Sequence, residues 1–191
     1  MFNFKNLLVA LVIFIFIFSS SLFAVDDPDN PKDPVVGKGG YNIEFQRENG
    51  FFSKGYAKDF ENFYLKNLTW KNNLKGEQKI SIDNVKSIRV KGYSPKKVKK
   101  ENLSLVFYIP YVFDIELTNG TKILDASGRI NEIESFYSYD EKGKVKLYTY
   151  FMRYWLEDKG IFLHNNSNDF DESPEVPDDT VVYVEFGKRS K

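Results

Sequence analysis

Few side chains in this sequence can do covalent or metal chemistry. There is no cysteine and a single histidine, His164. A thiol nucleophile is excluded, and any imidazole dyad or triad would have to be built on His164. Its setting, Phe162-Leu163-His164-Asn165-Asn166-Ser167, reads as the junction of a strand and a loop, with no Ser or Asp placed around it in a recognisable arrangement. Zinc needs several His or Cys ligands, which the chain does not have. Carboxylates are plentiful, but a glycosidase needs two of them at a set separation across a cleft. Asp114 with Glu116 reads more simply as the solvent face of a hairpin strand. The acidic segment from Asn165 to Asp179 holds Asp169, Asp171, Glu172, Glu175, Asp178 and Asp179 with no base among them. Its alternating oxygens lack the glycine and the terminal glutamate of a calcium loop, so it reads as a solvated connector stiffened by Pro174 and Pro177. No metal, no cofactor and no catalytic residue is expected.

Two surfaces remain that can bind. Lys86, Arg89, Lys91, Lys96, Lys97, Lys99 and Lys100 fall in fifteen consecutive residues with no acid among them, densest at Lys96, Lys97, Lys99 and Lys100. Such a cluster attracts anions at low salt: phospholipid headgroups, surface polyanions or acidic proteins. The plainer reading is a solvated loop over Gly92 to Lys100 whose charges keep a neighbouring strand edge from aggregating. The second surface is aromatic: Phe136, Tyr137, Tyr139, Tyr148, Tyr150, Phe151, Tyr154 and Trp155 crowd into twenty residues. If Tyr148, Tyr150, Tyr154 and Trp155 are exposed they form a stacking platform. If they are buried they fill a sheet core, which is the expected role.

The amino terminus bears on where any binding happens. Lys5 is followed by Leu7 to Phe18, a run with no polar side chain, then by Ser19-Ser20-Ser21-Leu22-Phe23-Ala24 and the acidic Val25-Asp26-Asp27-Pro28. This is the layout of a signal peptide over residues 1–24, cleaved after Ala24. The apolar run falls short of the ~20 residues of a spanning helix, and a retained anchor is the alternative. Export through the inner membrane is the consequence, to the periplasm first and the outside second. The absence of cysteine excludes lipid attachment at a mature amino-terminal Cys. The chain carries 27 basic and 27 acidic side chains, and losing the leader removes only Lys5, so bulk charge names no partner and nucleic acid is not expected. The partner is unknown, an anionic envelope component being the one the basic cluster favours.

Periodicity sets the framework that carries these surfaces. Residues 25–40, rich in Pro, Gly and Asp, form a lead-in, a single domain spans 41–187 and a basic tail 188–191. Tyr41, Ile43 and Phe45 alternate with polar residues as a half-buried strand does. Tyr56, Phe60, Phe63 and Tyr64 recur at helical spacing and predict a short helix over 56–65, before a strand entered at Leu68 and Trp70. A turn over 72–76 leads to two short strands from Ile80 to Val90, broken in phase at Asp83-Asn84. Asn119-Gly120 between alternating runs predicts a two-residue hairpin with positive φ at both residues, and Pro110 must then stand at a strand start or on an edge. A second hairpin turns at Asp140 to Gly143 and continues as one strand, Lys144 to Leu156, apolar on both faces and therefore central. Val181 to Phe186 is the last strand.

The count of short strands with regular turn signals predicts an all-β fold, an antiparallel sandwich or small barrel-like sheet with one short helix. An α+β fold, one helix on a curved sheet, is the alternative that the 56–65 segment decides. The expected role is that of an exported envelope protein that binds or scaffolds. The rivals are a small outer-membrane barrel, disfavoured by strands too short or interrupted to span, and a hydrolase using dispersed carboxylates.

Overall fold

The structure is a computed structural model that describes residues 40–71, 79–100, 103–157, 159–163 and 174–189. The leader, most of the lead-in, the turn at 72–76, His164, Asp169, Asp171 and Glu172 lie outside the described residues.

Twelve strands succeed one another: Tyr41–Arg47 (β1), Phe52–Ala57 (β2), Tyr64–Leu65 (β3), Ile80–Ser81 (β4), Val85–Lys100 (β5), Leu103–Leu117 (β6), Lys122–Ser127 (β7), Ser135–Asp140 (β8), Gly143–Tyr148 (β9), Phe151–Leu156 (β10), Ile161–Phe162 (β11) and Val181–Arg189 (β12). A single helical turn, Asn131–Glu134 (α1), precedes β8. Ten strands make one antiparallel sheet in the order β11-β10-β6-β5-β12-β1-β2-β8-β9, with β7 also on β6, while β3 and β4 pair separately. The fold is all-β. The path has two ends, β9 and β11, and does not close into a barrel among the described residues.

The helix expected over 56–65 is absent. There β2 ends at Ala57, and a turn with Asn62 at φ 58° leads to β3. Phe60 and Phe63 are buried because the turn folds them both inward: the Phe63 N–H donates to the Phe60 carbonyl at 3.2 Å, and the Phe60 ring meets Phe63, Phe136 and Phe186. A three-residue spacing of aromatics is thus met by a tight turn as well as by a helix. The phase break at Asp83-Asn84 is a one-turn 3-10 helix, Ile82–Asn84. That turn opens directly into the sixteen residues of β5, lysine cluster included, where a short strand and a loop were expected.

The predicted strand Lys144–Leu156 is also two elements. Thr149, buried between β9 and β10, donates its hydroxyl to the Ile133 carbonyl at 2.7 Å and its N–H to the Glu134 carbonyl at 3.0 Å, which ties the chain to α1 and turns it. β9 is an edge strand, not a central one, while β10 pairs with β6 near the other end of the path. Two residues cannot bridge distant strands, since each adds at most ~3.6 Å, so the sheet curls until its ends approach.

The Asn119-Gly120 hairpin joins β6 and β7 as expected, but by a three-residue loop. The Leu117 N–H donates to the Thr121 carbonyl at 2.8 Å and the Gly120 N–H to the Leu117 carbonyl at 2.9 Å, with positive φ at Gly120 (84°) and not at Asn119. This is the turn-plus-left-handed-residue loop, in which only one position demands glycine. At the margins, Gly40 belongs to the fold, buried and donating its N–H to the Tyr56 hydroxyl at 2.7 Å. β12 runs past 187 to Arg189, whose guanidinium reaches Glu61 at 3.2 Å.

Apolar side chains from β1, β5, β6, β7, β8, β9 and β12, with Ile133 of α1, fill one main core around Ile43, Phe60, Phe113, Ile115 and Phe136. Each such side chain contributes roughly 1.5–3 kcal/mol on burial. A second, smaller cluster gathers Val106, Tyr108, Phe151, Trp155 and Phe162, with Tyr93 and Val176 against it.

Candidate functional site

The long β5–β6 hairpin positions both candidate surfaces. Its inner half, Val85 to Val90 against Phe113 to Leu117, is flanked by β12 on one side and β7 on the other. β12 pairs with β5 only at Ser87, Ile88 and Arg89. Beyond that point no strand among the described residues covers the edge of β5, while β6 exchanges β7 for β10, paired from Leu103 to Tyr108. The change falls at a double irregularity in register between Val90, Gly92 and Tyr93. Pro110 sits opposite Tyr93 there, past the reach of β10 and before that of β7. It is therefore in the middle of a strand and not at its start, tolerated because its missing N–H coincides with a gap in partners.

The parity of the buried residues in β6 shifts at the same place, where each strand carries an extra residue. In the inner half Phe113 and Ile115 face the main core, while Asp114 and Glu116 face water and pair with Lys91 at 3.4 Å and Lys86 at 2.9 Å. In the outer half the buried residues are Ser104, Val106, Tyr108 and Pro110, of the other parity, and Val106 and Tyr108 belong to the second cluster. There Tyr108 stacks on Phe151 at 4.9 Å, Trp155 meets Phe162 edge-on at 4.9 Å, and the Arg153 guanidinium donates to the Glu175 carbonyl at 2.6 Å, pinning the segment that carries Val176 over the cluster. Burial pushes the Tyr93 phenol upward from its ordinary pKa.

The basic cluster is therefore a strand edge and not a loop. Pro95 to Lys99 are exposed, and lysines with a proline on a free edge block pairing with another chain. The four lysines are not equivalent. Lys97 and Lys99 lie on the face of the second cluster, where the Lys97 ammonium contacts Glu157 at 2.6 Å and stands 5.5 Å from the Trp155 ring centroid. Ser104 also donates to Glu157, and these hydrogen bonds, that from Lys97 first, hold the Glu157 carboxyl below its ordinary pKa. Lys96 lies on the opposite face, beside Val98, and Lys100 pairs in register with Leu103 at the strand end.

The four aromatic candidates divide. Trp155 is buried in the second cluster and touches the basic edge through Lys97. Tyr154, next to it in β10, points to the other face and is 39% exposed. Tyr148 belongs to β9 and meets Tyr150 edge-on at 5.4 Å. Tyr148 completes a ladder on the β8–β9 hairpin in which Lys144 lies 3.9 Å from the Tyr137 ring centroid and Lys146 lies 5.6 Å from that of Tyr148. Cations there are matched to rings within the ladder itself.

Sequence reasoning missed the residues between the two sets. On the face away from the second cluster, Leu105, Phe107 and Ile109 of β6 align with Val98 of β5 and with Met152 and Tyr154 of β10. None of them belongs to either apolar cluster. Their signal was the run from Leu103 to Phe113, which has no charged side chain at either parity.

No other arrangement among the described residues competes. No group of three His, Asp or Glu side chains could hold a metal there, and no helix is long and apolar enough to cross a membrane. An open hollow near α1 is lined by Asp59, Glu61 and Glu132, but Asp59 accepts the Tyr137 N–H at 2.5 Å and Glu61 the Arg189 guanidinium. Compared with protein-family models, curated proteins and solved structures, the chain matches none.

Proposed function

We propose that this is an exported cell-envelope protein, periplasmic before extracellular, that works by binding and docks on an anionic envelope component through the outer half of its β5–β6 hairpin. The leader-like residues 1–24 support export. The observation that carries the docking is the outer edge of β5, which has no partner strand among the described residues and holds Lys96 away from the acids that neutralise Lys86 and Lys91 in the inner half, while Lys99 stands on the face it shares with Lys97 and Glu157. Lys100 closes the strand on the same edge. Lys97, engaged with Glu157, plays a positioning part. Locality is what matters for a chain of zero net charge: beyond a Debye length, about 8 Å at physiological salt, other charges are screened.

The test is the triple reversal Lys96→Glu, Lys99→Glu and Lys100→Glu in the full chain without its leader. Each lysine near an anionic surface contributes about 1 kcal/mol, so binding to phosphatidylglycerol-containing vesicles should fall at least about a hundredfold. The thermal midpoint should stay nearly fixed, because exposed charges contribute little to stability. Wild-type binding should weaken as sodium chloride rises. Binding that survives the reversal refutes the reading.

A further inference from the structure

We infer that the anionic partner is a lipid bilayer, and that the apolar face formed by Val98, Leu105, Phe107, Ile109, Met152 and Tyr154 lies on it, with Lys96 at the margin reaching the headgroups. This rests on the docking reading above and deepens it, since a lysine edge alone would serve any polyanion.

Edge lysines and Pro95 are accounted for by protection against strand pairing. That account leaves the neighbouring face unexplained. Along β6, past the register break, the alternate residues Leu105, Phe107 and Ile109 lie on the face away from the second cluster and are only partly buried; Phe107 meets the Tyr150 ring at 6.3 Å, and none of the three belongs to an apolar cluster. Val98 is 43% exposed. A contiguous apolar patch at a sheet surface marks an interaction site.

Charge decides what covers it. The paired positions that make up this face, Ser94, Lys96 and Val98 with Leu105, Phe107 and Ile109, and Met152 and Tyr154 beyond them, include a cation and no carboxylate. A second copy seated on the face would bring more lysine and no acid for Lys96 to meet. A bilayer supplies phosphates at the depth of the lysine head and apolar matter below, and a lysine stem spans the two. Tyr154 has the amphipathic ring that favours a membrane–water boundary. The opposite face of the same strands is filled by Tyr108, Phe151 and Trp155, so this region lies against the membrane and does not cross it.

The chain's lack of cysteine gives a direct probe. Val98→Cys, carrying an environment-sensitive fluorophore, should blue-shift when vesicles of phosphatidylcholine with about one third phosphatidylglycerol are added, because the dye enters an apolar layer as the surface potential draws the edge in. The same dye at the exposed Leu124→Cys of β7 should not respond. In parallel, the double variant Leu105→Ser and Phe107→Ser should lose vesicle binding at least about tenfold while binding soluble polyphosphate as the wild type does. The label keeps the question decidable should the double variant fold poorly.

Vesicle binding that needs the lysines but not Leu105 and Phe107, with no shift at position 98, overturns the bilayer inference and leaves the anionic reading standing. Polyphosphate binding without vesicle binding does the same. Loss of every anion response overturns both. Self-association that the double variant abolishes assigns the face to a second copy and overturns the inference.

Discussion

The inner and outer halves of the β5–β6 hairpin share one backbone and differ in what stands beside it. Inside, strands flank both edges, one face is packed into the main core, and the other carries Lys86–Glu116 and Lys91–Asp114 pairs in water. Outside, one edge has no partner strand among the described residues, the buried parity has shifted across the register break, and the other face is apolar and only partly buried. Alternation of apolar and charged residues is thus a record of a strand with one dry side. Where both parities turn apolar and one of them joins neither core cluster, function and not folding is the reason to look for.

The largest effect should come from the inner half. Phe113→Ala removes a fully buried ring from the main core and should cost about 3–5 kcal/mol, read as a lowered denaturation midpoint with an unchanged slope. If Phe113→Ala is mild, the inner half is not the structural one. Next is the turn that closes it: Gly120→Val forces a β-branched residue to φ near 84° with no neighbour within 4 Å of the added carbon, so backbone strain alone should cost about 1–3 kcal/mol. Phe107→Ser, six residues from Phe113, should cost about 1 kcal/mol or less, the scale of a cross-strand pair. A loss as large as that of Phe113→Ala would show that the outer face is covered after all.

The turn at Asn119-Gly120, the alternation of β1 and the strand at Val181 were legible because each is decided by neighbours in sequence. The outer half of β5 was not, since Gly92, Pro95 and dense lysine are loop residues everywhere except on a free edge or at a register break. The aromatic spacing over 56–65 misled because a turn buries residues three apart as readily as a helix. Lys144 to Leu156 misled for a different reason: Leu147 and Phe151 have the same parity but enter different clusters, a choice made by Thr149 bonding to α1 and by β6 being available to pair. Of the candidate site, the lysines were readable as a cluster, but which of them a carboxylate holds was not.

That last point gives the smallest expected effect. Glu157 is held in its charged form by Lys97 and Ser104, so its folded pKa lies below the unfolded one. The stabilisation it brings is present at neutral pH and is lost as pH falls through the acid range, and at this solvent-accessible site it is slight. Glu157→Gln should leave the midpoint nearly unchanged and tighten binding to anionic vesicles by about threefold at neutral pH, because one negative charge leaves the basic edge. Wild type and variant should converge as the pH drops, when protonation removes the same charge from the wild type. A difference that persists in acid would separate Glu157 from the basic edge.

If one half of one hairpin is the docking surface, hydrogen–deuterium exchange of the full chain, with and without phosphatidylglycerol-containing vesicles, should locate it. Protection gained over residues 94–109 and 151–156, with β1, β12 and the β8–β9 hairpin unchanged, is the predicted result. Protection centred on the tyrosine–lysine ladder of β8–β9, or spread evenly over the sheet, would contradict it.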